Sequence, residues 1–155
     1  MKIERRTLPE QHYLYVEREC AFDGKAIGDA MASGFGEVFG FTGKSGIAPL
    51  SMPMSVYMDM PGDKLRFRAG VLVGAADAKK AGGAVKAGVM PAGEALAATH
   101  VGSYATLNQS HRTLWDYAGK NGLETAMPVW EIYIDDPTTK PEAEVRTEIF
   151  RALRG

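Results

Sequence analysis

Tyr57-Met58-Asp59-Met60-Pro61 returns as Tyr133-Ile134-Asp135-Asp136-Pro137, 76 residues further along the chain. Carried backwards in the same register, Met54 matches Trp130 and Val56 matches Ile132, apolar with apolar, whereas Ser55 matches Glu131. Apolar residues at every second position signal a strand, because successive side chains point to opposite sides of a sheet. A strand written twice predicts a fold built twice. A carboxylate present in only one copy marks where the copies diverge.

Working outward, the neighbourhoods of the two copies follow the same order. Ahead of the first, Gln11 to Cys20 alternates as a strand, with Tyr13, Tyr15 and Glu17 on one side and Leu14 and Val16 on the other. Ile27, Met31, Phe35 and Val38 then trace one apolar stripe of a helix from about Lys25 to Phe39. Gly28, Gly34 and Gly36 each weaken that helix by up to about 1 kcal/mol, so packing has to hold it. A Gly- and Pro-containing loop, Gly40 to Pro49, leads to a strand at Met52 to Met60, a turn at Pro61-Gly62-Asp63 and a strand at Lys64 to Val73. Around the second copy come a strand at Glu94 to Val101 and a helix from about Tyr104 to Asn121 with Leu107, His111, Leu114, Trp115 and Ala118 on one side. Gly122 stands as its stop. Strands at Val129 to Ile134 and Glu144 to Phe150, separated by a turn at Asp136-Pro137-Thr138, complete the unit.

The expected architecture is α+β: two strand-helix-strand-strand units related by pseudo-twofold symmetry. One domain is expected over residues 1–155, with half-units at about 1–73 and 90–155 and an Ala-, Gly- and Lys-rich connector over 74–89. Along the repeated strand, Met54, Val56 and Met58 with Trp130, Ile132 and Ile134 form a uniformly apolar side, expected beneath the helices. Ser55, Tyr57 and Asp59 with Val129, Glu131 and Tyr133 form the other, expected to be open, with two tyrosines around a carboxylate as the floor of a ligand cleft. A carboxylate out of water has to gain a partner or hold a raised pKa, so Glu131 favours a cationic or polarised ligand. The competing readings are a solvated Glu131 and ordinary cross-strand packing of Tyr57 and Tyr133. Met52, Met54, Met58 and Met60 alternate onto the apolar side and read as packing, not as a soft metal site.

Composition narrows the field. With 18 basic and 19 acidic residues for a net charge of −1, no broad positive field exists to hold nucleic acid. Met1-Lys2-Ile3-Glu4-Arg5-Arg6 lacks the apolar run of a signal peptide, and no stretch of about 18 apolar residues could span a membrane, so a cytoplasmic protein is expected. Cys20 is the single cysteine and reads as a small packing residue. Gly43-Lys44-Ser45 follows a helix, and the first glycine of a phosphate-binding loop would fall on Val38. Gly34-Phe35-Gly36 lies within a helical stripe, not after a strand. His12, His100 and His111 have no metal-binding spacing, and no Gly-x-Ser-x-Gly elbow is present. Neither a metal nor a cofactor is expected.

Met90-Pro91-Ala92-Gly93, His100-Val101-Gly102-Ser103-Tyr104, Leu107, Leu114, Gly122-Leu123, Trp130-Glu131-Ile132-Tyr133-Ile134-Asp135-Asp136-Pro137 and Thr147-Glu148-Ile149, in that order, resemble the GyrI-like small-molecule-binding family, also described as bacterial effector-binding domains. The resemblance implies an antiparallel sheet with helices on one face and a ligand cleft on the other. It places Glu131 in that cleft against cationic or aromatic ligands, lined by Tyr133, Tyr57, Tyr104, Phe67 and Trp130. Gly102-Ser103-Tyr104 departs from the Gly-Pro-Tyr common in the family. With no helix-turn-helix, the chain resembles the free-standing members, some of which bind DNA gyrase or sequester toxic compounds, and some of which resemble hydrolases of alkylating molecules. Three functions follow: binding of a hydrophobic, cationic aromatic molecule; hydrolysis of an electrophile by Glu131 and Tyr133; or modulation of gyrase.

Overall fold

The structure, a computed structural model, describes residues 1–59 and 63–154. It is α+β: eight antiparallel strands in one sheet, with three helices. The strands are β1 (Ile3–Leu8), β2 (Gln11–Cys20), β3 (Met54–Tyr57), β4 (Leu65–Val73), β5 (Lys86–Met90), β6 (Gly93–Val101), β7 (Thr125–Tyr133) and β8 (Arg146–Leu153). The helices are α1 (Gly24–Ser45), α2 (Ala75–Ala78) and α3 (Leu107–Lys120). Among the described residues no helix is long and apolar enough to cross a membrane.

Across the sheet the order is β1-β6-β8-β7-β3-β4-β2-β5. Read outward from the β7–β3 seam, β7-β8-β6 on one side matches β3-β4-β2 on the other. At the seam Met54 pairs with Ile132, Val56 with Trp130, and Ser55 with Glu131. The two positions that differ in the repeated phrase are therefore direct neighbours. Strands β1 and β5 are exchanged between the halves, β1 pairing with β6 and β5 with β2. Both depart from expectation. The leader is a strand, and the connector ends as one; their charged or Ala/Gly-rich sequences lack strand alternation because each lies at a sheet edge.

Short links then dictate curvature. Only Pro9 and Glu10 separate β1 from β2, although six strand spacings lie between them in the sheet. Laid flat, these spacings would amount to about 29 Å, whereas such a link reaches roughly 11 Å. Pro91 and Ala92 impose the same limit between β5 and β6. The sheet must curl until its ends approach, and it buries both of its faces in doing so.

One face carries the helices. Leu14, Val16, Phe67, Ala69 and Val71 pack under α1, and Leu96, Ala98 and Ile149 pack against Leu114 and Ala118 of α3. The other, inside the curl, is filled by Tyr13, Tyr15, Met54, Val56, Trp130 and Phe150. This reverses the expected assignment: the apolar row Met54, Val56, Trp130 and Ile132 turns away from the helices, and the row with Ser55, Tyr57, Glu131 and Tyr133 lies beneath them. Among the methionines Met54 is buried, Met52 and Met58 are exposed because β3 is only four residues long, and Met60 lies outside the described residues. So do Pro61 and Gly62 of the expected turn.

Helix α1 runs past the expected stop at Phe39 because its ends are well capped. The Asp23 carboxylate accepts from the Lys25 and Ala26 amides, and Gly46 takes the left-handed φ of 67° that lets Ile47 N–H reach the Thr42 carbonyl. At Gly34 a side chain would stand 2.6 Å from the Ala69 Cβ, so the glycine sets how closely α1 lies on the sheet. The start of α3 is pinned by His100. This buried imidazole gives its Nε2 proton to the Ser103 carbonyl at 2.9 Å, which leaves Nδ1 to accept from the Ser110 hydroxyl at 2.6 Å.

Candidate functional site

Between α1 and α3, above the β3–β7 seam, opens a cleft of about 1050 Å³. It lies on the helix side of the sheet, contrary to the expectation of a cleft on the bare side. The reason is spacing: α1 covers β2 and β4, α3 covers β6 and β8, and the seam between them is left open. Ile27, Gly28 and Met31 form the α1 wall, and Leu107, His111 and Trp115 the α3 wall. Gly28 has nothing within 4 Å of where a side chain would begin, so it keeps the wall set back.

Glu131 stands at the floor, 4% exposed. Its Oε1 accepts from the Tyr133 hydroxyl at 2.7 Å and the Tyr57 hydroxyl at 3.2 Å. Its Oε2 lies 2.6 Å from His111 Nε2. The Ser55 hydroxyl sits 2.9 Å from the Tyr133 oxygen, and having given its proton to Glu131 that oxygen is free to accept from Ser55. Burial, reinforced by the charge of Glu131, raises both Tyr57 and Tyr133 well above the ordinary phenol pKa, so both remain donors. His111 Nδ1 is buried without a hydrogen-bond partner among the described residues. Tyr133 is held edge-on by Tyr104 at 5.5 Å and by Phe35 at 5.9 Å between ring centres. Burial comes first and the charges of Asp136, Asp135 and Glu131 follow in raising the Tyr104 pKa.

Of the residues singled out in the sequence, Glu131, Tyr133, Tyr57 and Tyr104 line this cleft. Two others do not. Phe67 is 1% exposed within the core under α1, its ring 6.3 Å from that of Tyr57. Trp130, next to Glu131 in sequence, points to the opposite side and stacks on Phe150 at 4.9 Å with an interplanar angle of 6°. Strand alternation requires this: neighbours of Glu131 cannot share its face. Sequence reading missed His111, which lay within an apolar helical stripe as its only ionisable member; that mismatch was the available signal.

The arrangement presents a buried carboxyl group with most of its hydrogen-bonding positions already occupied, under aromatic and aliphatic walls. Three exposed apolar side chains, Phe22, Trp115 and Met127, edge the opening. Among the described residues no group of His, Cys, Asp or Glu converges as a metal site requires.

Residues 1–154 match the family described as GyrI-like small molecule binding domain. No curated protein matches the sequence. Solved structures share the fold at low identity. The EcmrR C-terminal domain is 20% identical with a TM-score of 0.79, over 99% of this chain and 97% of that one. SAV2435, in a structure bound to tetraphenylphosphonium, is 14% identical with a TM-score of 0.66, over 100% and 95% of the two chains. A hydrolase from Listeria innocua is 18% identical with a TM-score of 0.64, over 99% and 92%.

Proposed function

The chain belongs to the GyrI-like small molecule binding domain family, and from that premise we propose that it binds a hydrophobic aromatic cation over Glu131, for sensing, sequestration or detoxification in the cytoplasm. The observation that carries this reading is the state of Glu131. It is buried, and Tyr57, Tyr133 and His111 already fill its oxygens. A ligand approaching from the cleft finds charge but few free lone pairs, which suits delocalised or quaternary cations better than primary amines. Tyr104 and Tyr133 offer ring surface, each well-placed ring contributing about 0.5–2 kcal/mol to a desolvated cation. SAV2435, which shares the fold, is seen with such a cation, tetraphenylphosphonium.

Titration of the protein with tetraphenylphosphonium and cationic dyes tests the reading. Glu131→Gln should weaken binding at least about tenfold, the effect of losing a close charge pair at low polarity. Equal affinity in wild type and variant would remove Glu131 from the site.

The Glu131–His111 contact of 2.6 Å supports a second reading. A carboxylate–imidazole pair beside protonated phenols can also run acid–base chemistry, with Glu131 activating water and Tyr133 protonating the leaving oxygen of an electrophilic substrate. Turnover that disappears in Glu131→Gln, with substrate binding kept, would select the enzyme; unchanged or undetectable turnover would select binding.

A further inference from the structure

The cleft contains a cation that its floor does not use. Arg151 of β8 pairs with Val129, whereas Glu131 pairs with Ile149, so Arg151 stands two strand positions along from the carboxylate on the same face. That offset is about 7 Å. On the facing helix, the step from His111 to Trp115 is four residues, about 6 Å. Strand and helix thus advance together, and the cleft has two levels. Glu131 and His111 form the floor; Arg151 and Trp115 form the level nearer the opening, the guanidinium carbon 4.8 Å from the centre of the indole ring.

Among the described residues no hydrogen bond or ion pair holds this guanidinium. An indole face attracts its charge but accepts none of its five N–H groups in the plane. Arg151 Nε is buried without a hydrogen-bond partner among the described residues. Burial lowers its pKa from the ordinary arginine value and no carboxylate offsets this, although the exposed Asp116 also lines the cleft. Arg112, exposed on the same wall, adds a second positive charge. A half-buried arginine braced over an aromatic ring, without a counter-ion among the described residues, is preorganised for a planar acceptor supplied from outside.

We propose that Arg151, braced by Trp115, forms a carboxylate-binding subsite, and that the ligand is an aromatic zwitterion with its cationic end over Glu131 and its carboxylate at Arg151, one strand over and two strand positions along. This rests on the reading of Glu131 as the cation site. It narrows the ligand class from any lipophilic cation to one bearing an acid, and it explains why a site built around one glutamate keeps an unneutralised arginine in the same cavity.

Rhodamine B, which carries a free carboxylate on a cationic ring system, and its methyl ester, which lacks that charge, form the probe pair, followed by fluorescence anisotropy on the full chain. Wild type should bind the acid about tenfold more tightly than the ester, the scale of a charge-assisted bidentate contact. Arg151→Gln should abolish that preference while leaving ester affinity within about twofold, and Arg151→Lys should keep part of it. Glu131→Gln should weaken both dyes and preserve their ratio. Equal wild-type affinities, or a preference that survives in Arg151→Gln, would overturn the subsite while leaving the cation site standing. Failure of wild type to bind either dye would overturn the cation site and the subsite with it.

Discussion

At Ser55 and Glu131 the repeated phrase meets itself, since the residues that correspond in sequence are also hydrogen-bonded neighbours across the seam. Because β3 and β7 pair at this point, a single carboxylate there can recruit Tyr57 from one strand and Tyr133 from the other. The raised phenol pKa values have a measurable consequence. Above about pH 10 the unfolded chain releases tyrosine protons that the native chain keeps at Tyr57 and Tyr133, so stability should fall as pH rises through that range. Ultraviolet titration should show these two of the six tyrosines ionising only with unfolding, and Tyr133→Phe should remove one of them. The sequence made this grouping readable because alternation fixes which residues share a face. It could not reveal His111, since helix periodicity says which side is buried and not what lies across from it.

At the scale of elements, strand positions were easier to read than the side they present. Polar residues on an alternating strand ordinarily mark the wetted face, but here the sheet is covered on one side by helices and on the other by its own curl. The polar row was thus free to lie beneath the helices, which inverted the assignment of Trp130 and of the cleft. The second Asp-containing copy of the phrase also serves the elements directly. Asp135, just beyond β7, accepts from both the backbone N–H and the guanidinium of Arg146 at the start of β8, and Lys140 lies 3.2 Å away. The Arg146 hydrogen bonds, more than Lys140, hold its carboxyl well below the usual aspartate range. Its contribution should be complete above the ordinary value of about 3.9 and be lost as pH falls through and below it. Thermal unfolding followed against pH should therefore show Asp135→Asn less stable than wild type near neutrality, with the gap closing in acid.

For the whole molecule, the exchanged strands matter most. Ile3 and Leu8 of β1 pack on opposite faces of the curled sheet, Ile3 with the α3 core and Leu8 with the inner core. Removing residues 1–8 should cost at least about 2 kcal/mol, from two half-buried aliphatic side chains, and expose the edge of β6. Urea unfolding of the truncated chain measures the loss; an unchanged midpoint would mean that the curl holds without β1. The duplicated order of strands and helices was legible because it repeats the same hydrophobic periods. The exchange was not, because edge strands are under little pressure to alternate.

That exchange also has a consequence in time. During synthesis β1 has no partner until Gly93 to Ala98 have been made, which at about ten residues per second leaves it waiting for roughly nine seconds. An unpaired strand is a template for wrong partners. Arg5 and Arg6, which end bound to Glu94 and Glu148, charge that strand while it waits. The sequence that disguises β1 as a tail thus keeps it from pairing before its proper neighbour emerges.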